Sequence, residues 1–359
     1  MMNKLYRFIV RKVLSLRTRL RGYRFIKRGG LNQEIWGGGK FGERINSSIE
    51  RWYSGSTEKR KQFLVYDMVD SYKRYGATPE EYFLMGFENM SHERRSQFLT
   101  IKVKDEALMK YIGYDLYCRD AKDKYRFACL AKDFFKRQVI RVCRDESIKT
   151  LNDFLNLNKE FIAKPLTGQC GKEVKIWREN EYKDAQELYE KLTDSGEWIL
   201  EELIRQDETI GKWNPTSVNT VRMPSFYKNG VHKILTPVFR TGRLGMSIDN
   251  AAAGGVISSI DEQTGLLISN GFDELGHEYI VHPDSGLTFK GFQIPCWQDL
   301  LMIVEEVHKS MPSEHIYLGF DFALSDKGWV LIEANWGQFL SEFVLKTGIK
   351  STFLSYLEG

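Results

Sequence analysis

Cysteine is scarce in this sequence, and the few cysteines form no recognisable pattern. Five are scattered over 359 residues, with no C-x-x-C pair among them. An odd, dispersed set argues against a disulfide framework and against a zinc knuckle. We therefore expect a protein of a reducing compartment, the cytoplasm.

Long apolar runs are also missing. No stretch approaches the roughly 18 uncharged apolar residues of a membrane-spanning helix, and the N-terminus lacks the apolar core of a signal peptide. The chain is nevertheless 42% hydrophobic and 13% aromatic. A chain of this length and composition can bury a large core, and we expect two or three lobes.

An excess of basic residues spread over the whole chain is missing as well. The formal net charge is +4, but residues 1–28 contain ten Lys and Arg and no acid, so the remainder carries 42 bases minus 48 acids, or −6. This balance argues against a nucleic-acid partner.

The basic N-terminal segment, with the glycine-rich linker that follows it, covers residues 1–49. Its charges alternate with apolar residues at near-helical spacing, which are Tyr6, Ile9, Val10, Val13, Leu16 and Leu20. The pattern fits an interfacial helix on anionic lipid, and it equally fits an ordinary helix packed on the body. Gly37-Gly38-Gly39-Lys40 lacks the spacing of a phosphate-binding loop, so we interpret it as a flexible linker.

Helical periodicity dominates residues 50–148. Thr78-Pro79 predicts a helix start, with Thr78 as the N-cap and Pro79 at the first position. A linker is expected near residues 149–159, within a small lobe predicted over residues 149–205. A large lobe is predicted over residues 206–359.

A glycine-rich hairpin lies in the predicted small lobe. Strand-like residues 161–165 lead through Gly168-Gln169-Cys170-Gly171-Lys172 into residues 174–177. Backbone N–H groups without a neighbouring Cβ can approach a phosphate closely, and Lys164 and Lys172 add positive charge. An ordinary hairpin turn is the alternative interpretation.

Three arginines precede a loop of small residues in the predicted large lobe. Two strands, residues 218–227 and 231–239, are joined by Asn229-Gly230, which predicts a type I′ turn. Arg222, Arg240 and Arg243 then lie near residues 249–255. Guanidinium groups match phosphate and carboxylate, so we expect an anion site here.

The most informative stretch is residues 319–336. Two apolar runs flank Ser325-Asp326-Lys327-Gly328, which predicts a hairpin with Gly328 in the left-handed position. We expect Ser325 to lie opposite Trp329.

That register places Asp321 opposite Glu333, on the face that also carries Asn335. Three oxygen ligands among apolar residues suit Mg²⁺, which takes few carboxylates and completes its shell with water and phosphate. The alternative is that Asp321 begins a strand and Glu333 pairs with a lysine or arginine elsewhere.

Taken in order, these motifs resemble the ATP-grasp superfamily. They are Lys124, Lys164 with its glycine loop, Glu201-Glu202-Leu203-Ile204 with Glu208, and the Asp321, Glu333 and Asn335 set. Residues 217–222, 249–255 and 319–322 are more narrowly similar to the sugar-transfer-associated ATP-grasp proteins. The resemblance implies an α+β ATP-grasp fold, in which two α+β lobes clasp ATP after a mainly helical N-terminal region.

The resemblance also implies cofactors, namely ATP and two Mg²⁺ ions, and residues to hold them. Lys124 and Lys164 would bind the α- and β-phosphates under the loop from Gly168 to Gly171. Adenine would contact Glu201, Glu202, Leu203 and Ile204, and the ribose would contact Glu208. Asp321, Glu333 and Asn335 would bind the metal.

By the same resemblance, the activity is that of a carboxylate–amine ligase acting through an acyl phosphate on a small-molecule or glycan substrate in polysaccharide biosynthesis. Arg222 and Arg243 are the catalytic candidates, and the substrate candidates are Asn219, Arg240, Asp249 and Asn250. One departure stands out, because D-alanine:D-alanine ligase has an arginine two residues before the first metal aspartate and this chain has Gly319.

Two other functions are compatible with the same residues. One is an ATP-grasp phosphotransferase that acts on a hydroxyl. The other is a non-catalytic nucleotide-binding scaffold at the inner face of the membrane, attached through residues 1–28.

Overall fold

The computed structural model describes residue 18 and residues 20–113, 124–166, 174–245, 254–335 and 341–358. The chain divides into two compact units, Met1–Ala107 with Leu345–Ser355, and Leu108–Val344 with Tyr356–Gly359. Within these ranges no helix is both long enough and apolar enough to cross a membrane.

The first unit is built from helices, as the periodicity predicts. Helix α1 covers residues 20–27. It is followed by α2 (Phe41–Tyr53), α3 (Glu58–Tyr75), α4 (Pro79–Leu84), α5 (His92–Arg95) and α6 (Ile101–Ile112).

Helix α4 begins where the sequence predicts. The Thr78 hydroxyl accepts from the Glu81 N–H at 3.3 Å, and the Glu81 carboxylate accepts from the Thr78 N–H at 2.9 Å. Pro79 occupies the first helical turn. Two otherwise unpaired N–H groups are thereby satisfied, which confirms Thr78 as the cap.

The glycines before α2 form a closed turn, so the interpretation as a flexible linker is wrong. All three of Gly37, Gly38 and Gly39 have positive φ. Arg44 Nη1 donates to the carbonyl oxygens of Trp36 and Gly38 at 2.8 and 3.0 Å. Glycine is needed here because other residues rarely adopt this backbone conformation.

The second unit contains two antiparallel sheets. The smaller has the strand order β1-β4-β2-β3, with β1 at Val139–Val142, β2 at Glu160–Pro165, β3 at Lys175–Arg178 and β4 at Trp198–Glu202. Among the described residues, the same stretch of chain contains the helices α7 (Lys124–Leu130), α8 (Lys132–Phe135), α9 (Ile148–Leu157) and α10 (Ala185–Ser195).

Helix α9 occupies the stretch that we interpreted as a linker, so that prediction is wrong. Its buried side chains pack with those of α10 and the small sheet in one apolar cluster, which comprises Val142, Leu151, Phe154, Leu155, Phe161, Ala163, Leu188, Leu192 and Leu200. Strand β1 also joins this sheet, although it precedes the predicted boundary at residue 149.

The larger sheet has the order β10-β9-β8-β7-β5-β11-β12, with β6 paired to β5. Its strands are β5 (Thr220–Lys228), β6 (Val231–Ile234), β7 (Val238–Thr241), β8 (Val256–Ser259), β9 (Gly271–Phe272), β10 (Glu278–Tyr279), β11 (Tyr317–Ser325) and β12 (Gly328–Asn335). The helices are α11 (Glu208–Gly211), α12 (Trp297–Ser310) and α13 (Ser341–Leu345), while α14 (Lys350–Glu358) lies mostly in the first unit.

The type I′ turn between β5 and β6 is confirmed. Asn229 and Gly230 both have positive φ, at 51° and 79°, and Lys228 pairs with Val231. The predicted second strand is interrupted, because Thr236 also has a positive φ of 51°. The chain resumes as β7 beside β5.

The hairpin of β11 and β12 has the predicted acid pair but a different register at its turn. Leu324, not Ser325, lies opposite Trp329. The register shifts between Asp321 and Phe322, where Ile332 is the extra residue on β12. This β-bulge restores the pairing of Asp321 with Glu333.

Candidate functional site

Charged side chains form a row across three strands of the larger sheet. Arg222 on β5 pairs directly with Asp321 on β11, and Asp321 pairs with Glu333 on β12. Residues paired across a ladder project from the same face of a sheet. The predicted convergence of Asp321 with Glu333 is therefore present, with an arginine beside it.

Two arginines hold the buried carboxylate of Asp321. Arg222 donates from Nε to Oδ1 at 2.8 Å and from Nη2 to Oδ2 at 2.7 Å. Arg240 on β7 donates from Nη1 to Oδ2 at 3.0 Å. A bidentate fork with a second guanidinium is a strong, charge-assisted arrangement.

The two acids of this row differ in proton affinity. Burial by itself would raise the pKa of Asp321, but the charges of Arg222 and Arg240 lower it below its usual value. Burial raises the pKa of Glu333, and the negative charge of Asp321 raises it further. A side-chain hydrogen bond joins the two carboxyl groups. The pair thus favours sharing one proton, as adjacent carboxylates do.

A second buried carboxylate, Glu201 on β4, lies between two cations. Lys164 Nζ donates to Glu201 Oε1 at 2.8 Å, and Arg137 donates to Oε2 at 3.1 Å from Nε and 2.5 Å from Nη2. Burial would raise the pKa of Glu201, but Lys164 and Arg137 lower it to about 2. The Glu201 side chain, predicted to contact adenine, is instead engaged by these cations.

Lys124 lies at the start of α7, near the carboxyl groups of Glu333 and Glu201. Its ammonium donates to the Pro165 carbonyl oxygen at 3.1 Å. Burial lowers the pKa of Lys124, and the charges of Glu333, Lys164 and Glu201 also act on it. The structure therefore brings both predicted phosphate lysines together with Glu333.

The predicted adenine segment follows directly from β4. The backbone N–H of Glu202 donates to the Gln138 carbonyl oxygen at 3.0 Å, so a donor to an adenine ring nitrogen would come from Leu203 or Ile204. Leu203 and Ile204 are half-buried and outside the strand, and Glu208 is an exposed residue at the start of α11.

Arg243 does not join the Asp321 cluster. Its guanidinium donates to both oxygens of Asp284, at 2.8 and 3.2 Å. The fork is thus directed at another residue, and we do not retain Arg243 as a catalytic candidate.

Asn219 is buried and structural. Its amide nitrogen donates to Gln206 Oε1 at 2.8 Å, and its amide oxygen accepts from the Thr241 hydroxyl at 2.6 Å. Because both ends of the amide are used internally, we do not retain it as a substrate candidate. Gly168, Gly171, Asp249 and Asn250 lie outside the described residues.

Gly319, the position of the departure, lies close to Asn335. Gly319 pairs with Asn335, and a Cβ on Gly319 would lie 3.2 Å from Asn335 Oδ1 and 3.3 Å from its carbonyl oxygen. A side chain at this position would crowd the amide of Asn335. Positive charge reaches Asp321 from Arg222 and Arg240, on other strands.

Comparison with known families fits this arrangement of lysines and acids. The model of one family, described as sugar-transfer associated ATP-grasp, matches residues 119–353, well over half of the chain. This chain belongs to the sugar-transfer-associated ATP-grasp family. The match includes every strand of both sheets. A comparison with curated proteins found no match.

Solved structures show only distant likeness to this ATP-grasp protein. ATP-grasp ligase PsnB, complexed with minimal precursor, is 12% identical with a TM-score of 0.42, over 69% of this chain and 62% of that one. D-alanine–D-alanine ligase from Bacillus anthracis is 13% identical with a TM-score of 0.37, over 67% and 66%. This chain spans less than two thirds of either length, and likenesses at this level carry no weight for function.

The acid pair fits the divalent metal that the family implies. Asp321, Glu333 and Asn335 offer only oxygen donors, which Mg²⁺ prefers. A cation beside Asp321 and Glu333 would relieve the repulsion that raises the pKa of Glu333. No group of three or more His, Cys, Asp and Glu suited to a metal occurs in the described residues. A bound Mg²⁺ would therefore draw its other ligands from water and phosphate.

The sequence did not identify Arg137 as part of this site. It lies between α8 and β1, belongs to no motif, and reaches Glu201 over 64 positions of sequence. Arg240 was predicted to contact substrate, and its contact with Asp321 was not foreseen. The only available signal was a buried acid that required positive partners.

Proposed function

We propose that this protein is an ATP- and Mg²⁺-dependent carboxylate–amine ligase that acts through an acyl phosphate. One observation carries the proposal: Lys124 and Lys164 lie in a single electrostatic cluster with Glu333, whose carboxyl group pairs with Asp321. A bound nucleoside triphosphate requires phosphate-binding cations next to metal-binding acids.

The family description supports a sugar or glycan precursor as the acceptor. We propose an amino acid or a similar carboxylate as the donor, in cell-surface polysaccharide biosynthesis. Two ions in the metal site are part of the same proposal.

In the first step a carboxylate oxygen of the donor attacks the γ-phosphorus of ATP. The bond from that phosphorus to the β–γ bridging oxygen breaks, and ADP leaves. Lys124 and Lys164 would bind phosphate oxygens, while Arg222 and Arg240 would stabilise negative charge near Asp321. Bound Mg²⁺ supplies charge neutralisation at the phosphates.

In the second step the acceptor amine attacks the carbonyl carbon of the acyl phosphate. The carbon–oxygen bond to the phosphate breaks, phosphate leaves, and the nitrogen loses a proton to give the amide. The overall products are ADP, phosphate and an amide.

The test is a screen of the full chain with ATP and Mg²⁺ against panels of amino acids and amino sugars, with ADP release as the readout. A ligase yields an amide with free phosphate. A phosphorylated product without free phosphate, seen by phosphorus NMR, would instead identify a phosphotransferase. Nucleotide binding without turnover on any panel would favour the scaffold.

A pair of lysine variants tests the site itself. Lys164→Ala should lower kcat/KM at least about tenfold, because a phosphate loses a charged donor. Lys159→Ala is the matched control, since Lys159 is an exposed lysine paired with Glu179 at 2.6 Å. Equal activity of the two variants would contradict the proposed site.

We also propose peripheral attachment to an anionic membrane surface through α1. Thr18 and Gly22 are buried, and a Cβ on Gly22 would lie 2.6 Å from the Tyr66 ring. Leu20 and Tyr23 are 47% and 51% exposed.

The exposed side of α1 also carries bases, Arg24 and Lys27. No acid occurs in residues 1–28. An exposed face of apolar and basic side chains suits anionic headgroups.

Flotation of the full chain with vesicles tests this attachment. Binding should occur with phosphatidylglycerol vesicles and be lost with phosphatidylcholine vesicles or in high salt. Arg24→Glu with Lys27→Glu should abolish it, whereas Lys149→Glu with Lys183→Glu, on exposed positions elsewhere, should not. Equal flotation of both double variants would contradict the attachment.

A further inference from the structure

Arg137 is a buried cation that contacts both sheets of the second unit. Its side chain is 3% exposed. One side of the guanidinium holds Glu201, in the small sheet, while Nη1 donates to the Leu331 carbonyl oxygen on β12 at 2.6 Å. Nη1 also donates to the Phe135 carbonyl oxygen at 3.2 Å. One side chain thus fixes a strand of each sheet.

The contacts on either side of Arg137 lead to the proposed nucleotide site. The other carboxylate oxygen of Glu201 accepts from Lys164 Nζ at 2.8 Å. Leu331 precedes Glu333 by two residues on the same strand. A continuous chain of hydrogen bonds and backbone therefore runs from the phosphate lysine to the metal-binding acid.

We propose that Arg137 is a positioning residue. It fixes the position of Lys164 relative to Glu333 and keeps the Lys164 ammonium available for a phosphate. The nucleotide part of this inference rests on the proposed function. The charge balance among Arg137, Glu201 and Lys164 does not depend on the proposed function.

The physical reason lies in the charge of Glu201. A buried carboxylate needs matched positive charge, and Glu201 has two cations. When the Lys164 ammonium also binds a phosphate, Arg137 still balances Glu201. Without Arg137, Glu201 would be balanced by Lys164 alone and would hold it more tightly, in competition with the nucleotide.

Lys327 provides a matched control. It also bridges the two sheets, since Nζ donates to Glu202 Oε1 at 2.8 Å from the turn of the β11–β12 hairpin. Lys327 is 48% exposed, however, and its partner is the neighbouring glutamate. Lys327→Gln therefore removes a cation between the sheets without changing the balance at Glu201.

The first experiment measures Mg·ADP binding by calorimetry with the full chain. Arg137→Gln should weaken binding at least about tenfold, because Glu201 then competes for Lys164. Arg137→Lys should restore part of the affinity, since it returns the charge without the fork. Lys327→Gln should bind like wild type. Wild-type affinity in folded Arg137→Gln would overturn the inference.

The second experiment does not need the nucleotide. Acetylation of Lys164 by acetic anhydride is followed by mass spectrometry, with exposed Lys159 in the same chain as the internal reference. The rate at Lys164 should fall several-fold in Arg137→Gln and rise in Glu201→Gln, because a lysine reacts only when deprotonated. Unchanged rates in both variants would overturn the inference.

The two experiments separate this inference from the proposed function. If wild type binds no Mg·ADP, the proposed function fails while the acetylation result still decides the role of Arg137. If Arg137→Gln does not fold, the double variant Arg137→Gln, Glu201→Gln removes the buried carboxylate that has lost one of its two cations, and should recover thermal stability. Failure of the double variant to recover would overturn the charge-balance argument.

Discussion

Glu201 and Glu333 are glutamates on strands of different sheets, and their protonation differs. Lys164 and Arg137 bind Glu201 directly, and its pKa is about 2. Glu333 lies beside the already ionised Asp321, and burial with that neighbour raises its pKa. Glu201 is balanced by the protein's own cations and holds the two sheets, whereas Glu333 favours a proton and is ready for a cation beside Asp321.

The largest effect is expected at Asp321, the acid of the larger sheet whose charge is balanced by two arginines. Asp321→Ala leaves Arg222 and Arg240 buried without their carboxylate, and we expect a loss of about 3–5 kcal/mol in unfolding free energy. Urea denaturation measures it. Asp284→Ala removes an equally bidentate partner from the more exposed Arg243, and should cost under about 1 kcal/mol. Similar losses in the two variants would contradict the argument from burial.

A buried histidine that is hydrogen-bonded to two neutral groups extends the comparison. His308 Nδ1 lies 2.7 Å from Ser225 Oγ, and Nε2 lies 2.6 Å from the His315 carbonyl oxygen. Burial lowers the pKa of His308 to about 4. Its folded pKa is thus below the unfolded value, so the stability that neutral His308 preserves is complete above pH 6.5 and is lost as pH falls towards 4.

We expect this acid-dependent loss to reach about 3 kcal/mol by pH 4. Urea denaturation of wild type and His308→Gln between pH 7 and 4 measures it by difference. Glutamine can still accept and donate but does not titrate. Parallel pH profiles of the two proteins would show that His308 does not titrate in this range.

Glu333→Gln tests the unbalanced acid. Glutamine resembles the protonated carboxyl group, so at neutral pH the variant should be at least as stable as wild type. The raised pKa of Glu333 means that its stabilising contribution is present at low pH and is lost as pH rises through the folded pKa. The gap between variant and wild type should therefore widen with pH.

The same variant should lose Mg²⁺-dependent ADP binding by at least about tenfold, since a metal ligand is replaced. Thermal denaturation with and without Mg·ADP measures both effects. Glu305→Gln, which alters an exposed pair with Lys309, is the control. An unchanged response of Glu333→Gln to Mg·ADP would remove Glu333 from the metal site.

The smallest effect is expected at the exposed contact between the sheets. Lys327→Gln removes the pair with Glu202, and the unfolding free energy should change by less than about 1 kcal/mol because both groups are partly solvated. Chemical denaturation at low and high salt measures it. A large loss would mean that the exposed cation, as well as Arg137, fixes the two sheets.

Local patterns predicted much of this fold. The Thr78 cap and the Asn229-Gly230 turn follow from backbone preferences that act over a few residues. The linker over residues 149–159 was wrong, because the apolar stripe of Leu151, Phe154 and Leu155 becomes decisive only when the small sheet packs against it.

The site was predicted less completely, for a similar reason. The pairing of Asp321 with Glu333 was correct although the register at the turn was not, since the bulge at Ile332 compensates. Arg222 and Arg240 reach Asp321 across 99 and 81 positions, and Arg137 reaches Glu201 across 64. Such contacts depend on tertiary structure that short-range spacing does not specify.

The bulge on β12 decides from which face of the sheet the side chains after it project. From the turn as far as Leu331 the two strands of the hairpin are matched one to one, and the single unmatched residue then exchanges the faces of everything that follows. Deletion of Ile332 would leave the two strands matched one to one, with Glu333 still opposite Asp321, whereas one further residue between Gly328 and Glu333 would need a second unmatched position to keep that pair. This edge of the sheet therefore tolerates a shorter strand better than a longer one.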